Sequence, residues 1–383
     1  MISRNSINGA FPIKRLGEVV EFLDSKRRPV TESDRRAGPY PYYGANAIQG
    51  TIDEFIFDEP LVLLAEDGGH FGEPDRGIAY RISGKTWVNN HAHVLRPTSA
   101  VDLGYLCRVL ENYDVTPFVT GTTRGKLTKA GASRIAIPLP PLAEQRRISE
   151  VLDRAEALRA KRRAALAQLD SLTQSLFLDL FGDPVANPKQ WPNPTLGGLL
   201  TFQQYGPRFV NEDYSADGIR IVRITDLSES GTLDFSAMPR MTVSEEDREK
   251  YSLRPGDIIF ARTGATVGKV ALLQPNDPPC IAGAYFITMR FEKTLDPLYA
   301  RAVLAAPSVR AIVAKRSRQA AQQNFSGPGL RQLPMPLPPL PLQREYARRV
   351  KAIETLKKAQ RSSLAELDAL FASLQHRAFR GEL

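Results

Sequence analysis

Cysteine is almost absent from this sequence, which holds two, Cys107 and Cys280, in 383 residues. Two thiols are too few for the disulfide framework that stabilises small secreted domains, and they lie too far apart to form a zinc knuckle. We expect both to be small apolar residues of a core. The chain is long enough for about two domains, each with its own core.

Long apolar runs are absent as well. No stretch approaches the ~20 consecutive apolar residues that a helix needs to cross a bilayer. Residues 1–16 lack the apolar h-region and the small-residue cleavage site of a secretory signal. The sequence therefore predicts a cytoplasmic protein without a membrane span.

Recognisable cofactor and catalytic motifs are missing too. The stretch GATVGKV (264–270) resembles a phosphate loop, but only three residues separate its glycines and Val270 replaces the magnesium-binding hydroxyl. The stretch NDPPC (276–280) resembles the base-holding motif of amino-methyltransferases, but Cys280 replaces the stacking aromatic residue. There is no Gly-rich cofactor loop and no nucleophile at a recognisable spacing from a base. We predict that the chain is not an enzyme and binds no cofactor.

A metal site has one candidate in the sequence, the pair His91 and His93 in HAH, which would lie on one face of a strand. The equivalent stretch of the second half, AYFIT (284–288), contains no metal ligand. We therefore predict no metal site here and interpret the segment as a structural or DNA-facing strand.

Positive charge is in excess: the net charge is +9 and the isoelectric point is near 9.5. Such a balance favours a polyanionic partner, nucleic acid above all. The cationic residues form local clusters at SKRRP (25–29), DRRAG (34–38) and AKRSRQAAQQNF (314–325). The excess is spread along the chain and is not confined to a tail.

The sequence also contains a tandem duplication. PLPPLAEQRR (138–147) returns as PLPPLPLQRE (336–345), at an offset of 198 residues that also relates Gly131 to Gly329 and Leu169 to Leu367. Upstream, YYGANAIQG (42–50) aligns with VRITDLSES (222–230), and LVLLAEDGGHFGE (61–73) aligns with DIIFARTGATVGK (257–269). The offset grows between these two pairs, so the second copy carries an insertion of about 16 residues.

Each Pro-rich stretch is followed by a helical pattern. Apolar residues from Ile148 to Leu180 and from Tyr346 to Leu374 recur with three-then-four spacing and charged residues between them. Each pattern predicts one helix of about 38 residues. An apolar stripe of that length must be buried, so we expect the two helices to pair as an antiparallel coiled coil. Each has a polar middle, RAKRRAA (159–165) and LKKAQRSS (356–363).

The globular parts are predicted to be mixed α/β. Short β-branched or aromatic runs such as LVLLA and DIIFA alternate with Gly-rich turns, and helical patterns precede each PLPP. The predicted fold has two tandem globular domains, each followed by a long helix, with pseudo-two-fold symmetry.

The ordered motifs resemble those of the specificity subunit of type I restriction-modification systems. The first half supplies YYGAN, GGHFG and IAIPLPPLAEQRRI, and the second supplies VRITD, RTGATVGK and LPMPLPPLPLQRE. By this resemblance, residues 1–141 and 184–339 are target-recognition domains. Residues 142–183 and 340–383 are then the conserved helical spacers that dock methyltransferase subunits.

The resemblance implies a function without chemistry of its own. Such a subunit binds double-stranded DNA at a bipartite, asymmetric site and directs methyltransferase subunits, of which we expect two, and restriction/translocase subunits to it. S-adenosylmethionine, ATP and Mg²⁺ then belong to the partner subunits. Two alternatives remain open: a stand-alone bipartite DNA-binding regulator, and the specificity subunit of a methylation-only phage-defence system.

The candidate DNA-binding residues lie in three loops of each copy. Arg can pair with guanine, and Asn or Gln with adenine, through bidentate contacts, whereas Glu or Asp can accept a hydrogen bond from cytosine. The first copy has acidic Glu66 and Asp67 where the second has Arg262 and Thr263. The candidates are Tyr43, Asn46, Glu66, Asp67, His70, Arg124 and Lys126 in the first copy, and Arg223, Asp226, Arg262, Thr263, Thr266, Lys269, Arg318, Gln322, Gln323 and Asn324 in the second.

Overall fold

The computed structural model divides the chain into two compact units. Unit 1 comprises Met1–Ala165 with Gln360–Leu383, and unit 2 comprises Leu166–Ala359. Among the helices described, none is both long enough and apolar enough to span a membrane. The structure describes residues 11–73, 76–121, 125–209, 214–228, 230–317 and 324–383.

The first part of the chain forms short strands and three short helices. The strands are β1 (Ile13–Arg15), β2 (Val20–Phe22), β3 (Tyr40–Gly44), β4 (Ala47–Ile52), β5 (Phe57–Asp58), β6 (Leu61–Ala65), β7 (Ala79–Ile82), β8 (Lys85–Val88), β9 (Ala92–Pro97), β10 (Val119–Thr120), β11 (Lys126–Leu127) and β12 (Ala136–Pro138). The helices are α1 (Leu16–Val19), α2 (Leu103–Glu111) and α3 (Lys129–Ala132), followed by the long helix α4 (Leu142–Phe181).

Two four-stranded sheets organise unit 1. One is antiparallel with the strand order β2-β9-β6-β7. The other has the order β4-β3-β8-β5, in which β3 and β8 run parallel. Strand β6 is buried along its whole length, as its continuous apolar sequence LVLLA predicts.

Unit 2 repeats these elements. Its strands are β13 (Leu200–Tyr205), β14 (Ile219–Val222), β15 (Arg240–Met241), β16 (Ile258–Ala261), β17 (Val270–Leu272), β18 (Cys280–Ala282) and β19 (Phe286–Phe291). Its helices are α5 (Glu245–Tyr251), α6 (Pro297–Ala305), α7 (Pro307–Ser317), α8 (Gly327–Arg331) and the long α9 (Leu340–Arg380), which continues into unit 1.

The two units share their sheet topology. The antiparallel order β13-β19-β16-β17 matches β2-β9-β6-β7, and β15-β14-β18 matches β4-β3-β8, including the parallel pair β14 and β18. The duplication seen in the sequence is therefore a duplication of fold. The additional residues of the second copy, between β14 and β16, include α5, and both cysteines are buried as expected.

The structure shifts the alignment of YYGANAIQG (42–50) with VRITDLSES (222–230) by one residue. The N–H of Asn89 donates to the carbonyl of Tyr43, and the N–H of Gly283 donates likewise to Val222. Tyr43 therefore corresponds to Val222, whereas the alignment of the two stretches paired it with Arg223. A shift of one residue matters in a strand because it moves a side chain to the other face of the sheet.

The long helices α4 and α9 contribute to the cores of both units. In unit 1 the first turns of α4 pack with the last turns of α9, and in unit 2 the last turns of α4 pack with the first turns of α9. The helices therefore run antiparallel in each unit, and the predicted fold class is confirmed. The buried helical residues are Ile148, Leu152, Ala155, Phe371, Ala378 and Phe379 in unit 1, and Phe177, Phe181, Tyr346, Ala347 and Val350 in unit 2.

The polar middle of the helix pair is held by side-chain pairs. In unit 1, Arg159 Nε lies 2.6 Å from a carboxylate oxygen of Asp368. In unit 2, Lys357 is 5% exposed and its Nζ lies 2.8 Å from both Asp170 and Glu354. These pairs provide the charge balance that a buried or half-buried cation needs where the apolar stripe is interrupted.

The duplicated glutamine of the PLPP motif anchors each long helix to its unit. Gln145 is buried; its Oε1 accepts from the N–H of Asp102 (2.7 Å), and its Nε2 donates to the carbonyls of Ala100 and Pro140 (3.1 and 2.8 Å). Gln343 is buried and makes the same three kinds of contact in unit 2. The repeated decapeptide therefore encodes the junction between globular part and helix.

Replacing Gln145 by alanine should destabilise unit 1 by about 2–4 kcal/mol, because three buried backbone groups would lose their partner. The chain has two tryptophans, Trp87 in unit 1 and Trp191 in unit 2. A Trp191→Phe background leaves Trp87 fluorescence to follow urea unfolding of unit 1. The exposed neighbour gives the control Arg146→Ala, expected within about 0.5 kcal/mol of the parent. Equal destabilisation by both variants would contradict this role of Gln145.

Candidate nucleic-acid interface

The candidate loops of unit 1 are held together by main-chain hydrogen bonds at the end of β6. The N–H of Glu66 donates to the carbonyl of His91 (2.8 Å), and the N–H of Leu127 donates to the carbonyl of Glu66 (2.7 Å). Asp67 forms a β-bridge with Lys126. We call this arrangement the clamp of unit 1. It brings residues from three distant segments to one place and fixes their backbone.

Glu66 is engaged within the protein. It is 8% exposed; its carboxylate lies 2.6 Å from Arg27 Nη1 and 3.1 Å from Lys126 Nζ. Burial raises the pKa of Glu66, but the hydrogen bonds from Arg27 and Lys126 and the nearby His93 outweigh it, so that pKa lies below its ordinary value. Glu66 is thus an ionised part of a buried cluster, and contact with a base would require these pairs to open.

His93 completes this cluster. Its Nδ1 lies 2.7 Å from Asp24 Oδ2 and its Nε2 lies 2.8 Å from the carbonyl of Leu127. A carbonyl only accepts, so Nε2 donates, and Nδ1 faces a carboxylate whose pKa is lowered. Burial raises the pKa of Asp24, and the bonds from His93 and Val94 lower it further than burial raises it. His93 therefore links the carboxylate of Asp24 to the main chain at Leu127.

The same geometry bears on a metal ion. Asp24, Glu66 and His93 bring ligand atoms within 4.8 Å of one another. The Nε2 of His93 is used by the carbonyl of Leu127, and the carboxylates of Asp24 and Glu66 are paired with His93, Arg27 and Lys126. His91 binds a different carboxylate, that of Asp67, so the two imidazoles of HAH do not converge. These contacts favour an ion-pair cluster over a metal centre.

An open cavity of about 480 Å³ lies beside the clamp of unit 1. The Nδ1 of His91 lies 2.5 Å from Asp67 Oδ1, and Asn46 Nδ2 donates to the carbonyl of Gly68 (3.0 Å). The guanidinium of Arg35 stacks on Tyr42 at 4.2 Å. The polar residues that line the cavity include Arg35, Asn46, Gln49, Asp67, Asn89, Asn90 and His91.

Other candidates of unit 1 lie outside that cavity. The ring of Tyr43 packs near Tyr80, with ring centroids 5.8 Å apart, and burial raises the pKa of Tyr43. His70 lies 3.1 Å from Arg76 Nη1. Arg124 lies outside the described residues.

Unit 2 builds an equivalent clamp at the end of β16. The N–H of Arg262 donates to the carbonyl of Tyr285 (2.9 Å), and the N–H of Phe325 donates to the carbonyl of Arg262 (2.7 Å). Thr263 forms a β-bridge with Asn324. Each contact has its counterpart in unit 1, so the clamp is part of the duplicated fold.

The side chains on the second clamp differ from those on the first. The Arg262 guanidinium lies 4.6 Å from the ring centroid of Tyr205, and its Nε is a buried atom without a hydrogen-bond partner in the described part of the chain. Tyr205 and Tyr285 are 42% and 52% exposed. An arginine held on an aromatic ring beside exposed tyrosines suits contact with bases and phosphates.

Some of the remaining candidates of unit 2 already have hydrogen-bond partners within the protein, and others lie outside the described residues. Asp226 is 6% exposed and accepts from the Nη2 of Arg223 (2.8 Å), so this pair is already satisfied within the protein. Thr266 donates to the carbonyl of Thr263 (3.2 Å), within the Gly-rich loop. Lys269, half-buried, ends that loop. Arg318, Gln322 and Gln323 lie outside the described residues.

A sequence model of the type I restriction modification DNA specificity domain matches this chain twice, over residues 10–168 and 188–367. The chain belongs to that family. Each match coincides with one copy of the duplicated fold.

Named members of the family include partial and near-complete relatives. A putative type I restriction enzyme specificity subunit of Haemophilus influenzae is 40% identical over 38% of this chain and 37% of its own length. The EcoKI specificity subunit of Escherichia coli is 26% identical over 90% of this chain and 82% of its own. The EcoBI subunit of Escherichia coli matches over 58% of its length. The chain thus spans 37% of the length of the Haemophilus influenzae relative and 58% of that of EcoBI.

Solved structures of type I systems share the fold. The S subunit from M. genitalium superimposes with a TM-score of 0.66 at 14% identity, over 97% of this chain and 96% of that one. A chain from a structure on complex assembly and conformational transition of the type I system gives 0.55 at 19% identity, over 98% and 99%. At these identities the likeness shows the fold alone.

Sequence analysis missed several residues that the structure places at the two clamps. It did not select Arg35, Gln49 or Asn89, which line the cavity of unit 1, nor Tyr205 in unit 2. A signal existed for Arg35, which lies in the basic stretch DRRAG. The others carried none, because their proximity arises from strand pairing between distant segments. The contacts of the selected residues with DNA stay a prediction.

The ion-pair cluster should make the stability of unit 1 sensitive to acid. The pKa values of Asp24 and Glu66 lie below their ordinary values of 3.8 and 4.5. Stability from both is then fully present above about pH 4.5 and is lost as pH falls through the lower folded values, because the unfolded chain binds protons first. Urea unfolding of the Trp191→Phe chain, followed by Trp87 fluorescence between pH 7 and 3, measures this loss.

A single substitution should remove part of the effect. Asp24→Asn leaves His93 Nδ1 without the carboxylate that faces it, while Arg27 keeps its pair with Glu66. Unit 1 should therefore lose about 3 kcal/mol at pH 7 and show a weaker acid dependence. Asp58→Asn, at an exposed carboxylate of the same unit, is the control and should behave as the parent does. An unchanged acid dependence in the Asp24 variant would show that the cluster is not its source.

Proposed function

We propose that this chain is a non-catalytic specificity subunit of a type I restriction-modification complex, and that its two units each recognise one half of a bipartite DNA site. The observation that carries the proposal is the duplicated clamp. Both units fix the same backbone positions with the same hydrogen bonds but present different side chains there. A protein that recognises two different half-sites requires the same backbone arrangement twice, with different side chains to contact the bases.

The chemistry of the two clamps supports an asymmetric site. Unit 1 presents the acceptors Asp67 and His91, whereas unit 2 presents Arg262 and Thr263. Carboxylate and imidazole acceptors suit the exocyclic amino groups of cytosine or adenine, and arginine suits the O6 and N7 atoms of guanine. The half-sites should therefore differ in sequence.

The net charge of +9 supports double-stranded DNA as the polyanionic partner. We infer that two methyltransferase subunits and restriction/translocase subunits supply the chemistry, with S-adenosylmethionine, ATP and Mg²⁺ bound by them. By this proposal residues 1–141 and 184–339 recognise DNA, and residues 142–183 and 340–383 dock the methyltransferase. The place of action would be the cytoplasm, where such partners meet DNA.

A reconstitution tests this function. The purified chain, incubated with duplex DNA and labelled S-adenosylmethionine, should incorporate no methyl groups. With a type I methyltransferase subunit from the same organism, methylation should appear at one bipartite, asymmetric motif, identified by methylome sequencing. Methyl transfer by the chain alone, or the same motif methylated without the chain, would overturn the proposal.

The same experiment distinguishes the alternatives. Tight binding to a bipartite site with no association with a methyltransferase would indicate a stand-alone regulator. Methylation without cleavage, when ATP and a restriction subunit are also supplied, would indicate a methylation-only system.

Arg262→Lys should relax recognition in the half-site of unit 2 alone. Lysine keeps the charge but loses the planar fork that pairs with guanine, so discrimination at one base position should fall by about 1–3 kcal/mol. Methylome sequencing of the complex measures it. Arg248→Lys, at an exposed arginine of α5 in the same unit, is the control. Relaxed positions in both half-sites would contradict independent readers.

A further inference from the structure

We propose that His91 and Tyr285 are an equivalent pair of base-contacting residues, one in each half-site. This inference rests on the proposed function. It assigns a specific role to His91, which the sequence placed only in a structural or DNA-facing strand, and to Tyr285, which the motifs of the sequence do not select. His91 directly precedes β9, and Tyr285 directly precedes β19. The strands begin with Ala92 and Phe286, both 0% exposed.

The equivalence follows from hydrogen bonds that the two units share. The carbonyl of His91 accepts from Glu66, and the carbonyl of Tyr285 accepts from Arg262. The sequence hides this match because its offset drifts: it is 198 between Leu127 and Phe325, 196 between Glu66 and Arg262, and 194 between His91 and Tyr285.

Both residues combine a fixed backbone with an exposed side chain. The N–H of His91 donates to the Oδ1 of buried Asn89 (2.8 Å), so the peptide groups on both sides of His91 are held. Its side chain is 36% exposed, and Tyr285 is 52% exposed. A side chain that leaves a rigid main chain toward solvent is placed with little loss of entropy on binding, as specific contacts require.

The contacts of His91 determine its hydrogen-bonding character. The carboxylate of Asp67 accepts from Nδ1, and the tautomer with the proton on Nδ1 has its lone pair on Nε2. Nε2 has no partner among the described residues, and the ring lines the open cavity with Asn46 and Gln49. His91 should therefore accept a hydrogen bond from an exocyclic amino group, that of adenine or cytosine.

Tyr285 presents a different chemistry from the same position. Its hydroxyl makes no hydrogen bond within the described part of unit 2, and the neighbouring clamp residue Arg262 lies over Tyr205. An exposed phenol can both donate and accept, and its ring can pack against a thymine methyl group. The equivalent positions should thus prefer different bases.

The test uses the complex of the full chain with its methyltransferase subunit and a set of duplexes, each with one base pair of the site changed. His91→Ala should lower discrimination at one position of the unit 1 half-site by about tenfold and leave the other half-site unchanged. His91→Gln, which keeps an acceptor, should restore part of it. Tyr285→Ala should lower discrimination at one position of the unit 2 half-site and leave the unit 1 half-site unchanged.

Two exposed residues outside the clamps serve as controls. Glu54→Ala in unit 1 and Tyr214→Ala in unit 2 should leave the specificity profile unchanged. Fluorescence of Trp87 and Trp191 shows that each variant chain is folded.

The outcomes separate this inference from the proposed function. If the wild-type complex methylates a bipartite motif while both alanine variants keep its full specificity profile, the assignment of His91 and Tyr285 is wrong and the function stands. Loss of discrimination in both half-sites from either variant would also overturn the assignment. If the wild-type complex directs no methylation to a bipartite motif, the proposed function falls and this inference with it.

Discussion

The burial of both long helices in both cores is the constraint on which the rest of this structure depends. Phe371, Ala378 and Phe379 of α9 complete the core of unit 1, and Phe177 and Phe181 of α4 complete that of unit 2. Each large apolar side chain removed from water contributes about 1.5–3 kcal/mol. A helix of 40 residues with a narrow apolar stripe gains this stabilisation only by packing at both ends. The buried glutamines at the helix starts then set where each helix leaves its globular part.

A second constraint acts at the clamps. The clamp of unit 1 places the ionised carboxylates of Asp24 and Glu66 beside the cations Arg27 and Lys126 and the imidazole of His93. Buried charges are tolerated only when they are paired, so these side chains stabilise the fold through their pairs within the protein. The neighbouring positions His91 and Tyr285 have their main chains fixed and their side chains exposed. Some side chains at the clamp are paired inside the protein, and others are exposed on a fixed main chain. This difference explains how the same backbone can present different exposed side chains in the two units.

The unit 2 clamp shows how the same backbone accommodates the opposite charge. Arg262 stands where unit 1 has Glu66, and Tyr205 supplies an aromatic face for it in place of ion pairs. A guanidinium can stack on a ring and remain partly hydrated, whereas a buried carboxylate needs donors. Substitution at these positions therefore changes the surface without changing the main-chain hydrogen bonds.

The sequence by itself determined the features that depend on local spacing. The three-then-four pattern from Ile148 and from Tyr346 predicts the long helices, the offset of 198 predicts the duplication, and LVLLA predicts a buried strand; each signal lies within a short window. The tertiary structure alone decided which distant residues meet. The sequence held no signal that Arg27 would pair with Glu66 or that Tyr205 would support Arg262. It aligned HAH with AYFIT but did not show which residue of AYFIT corresponds to His91. Strand register sets these contacts, and a shift of one residue, as between Tyr43 and Val222, reverses the face on which a side chain lies.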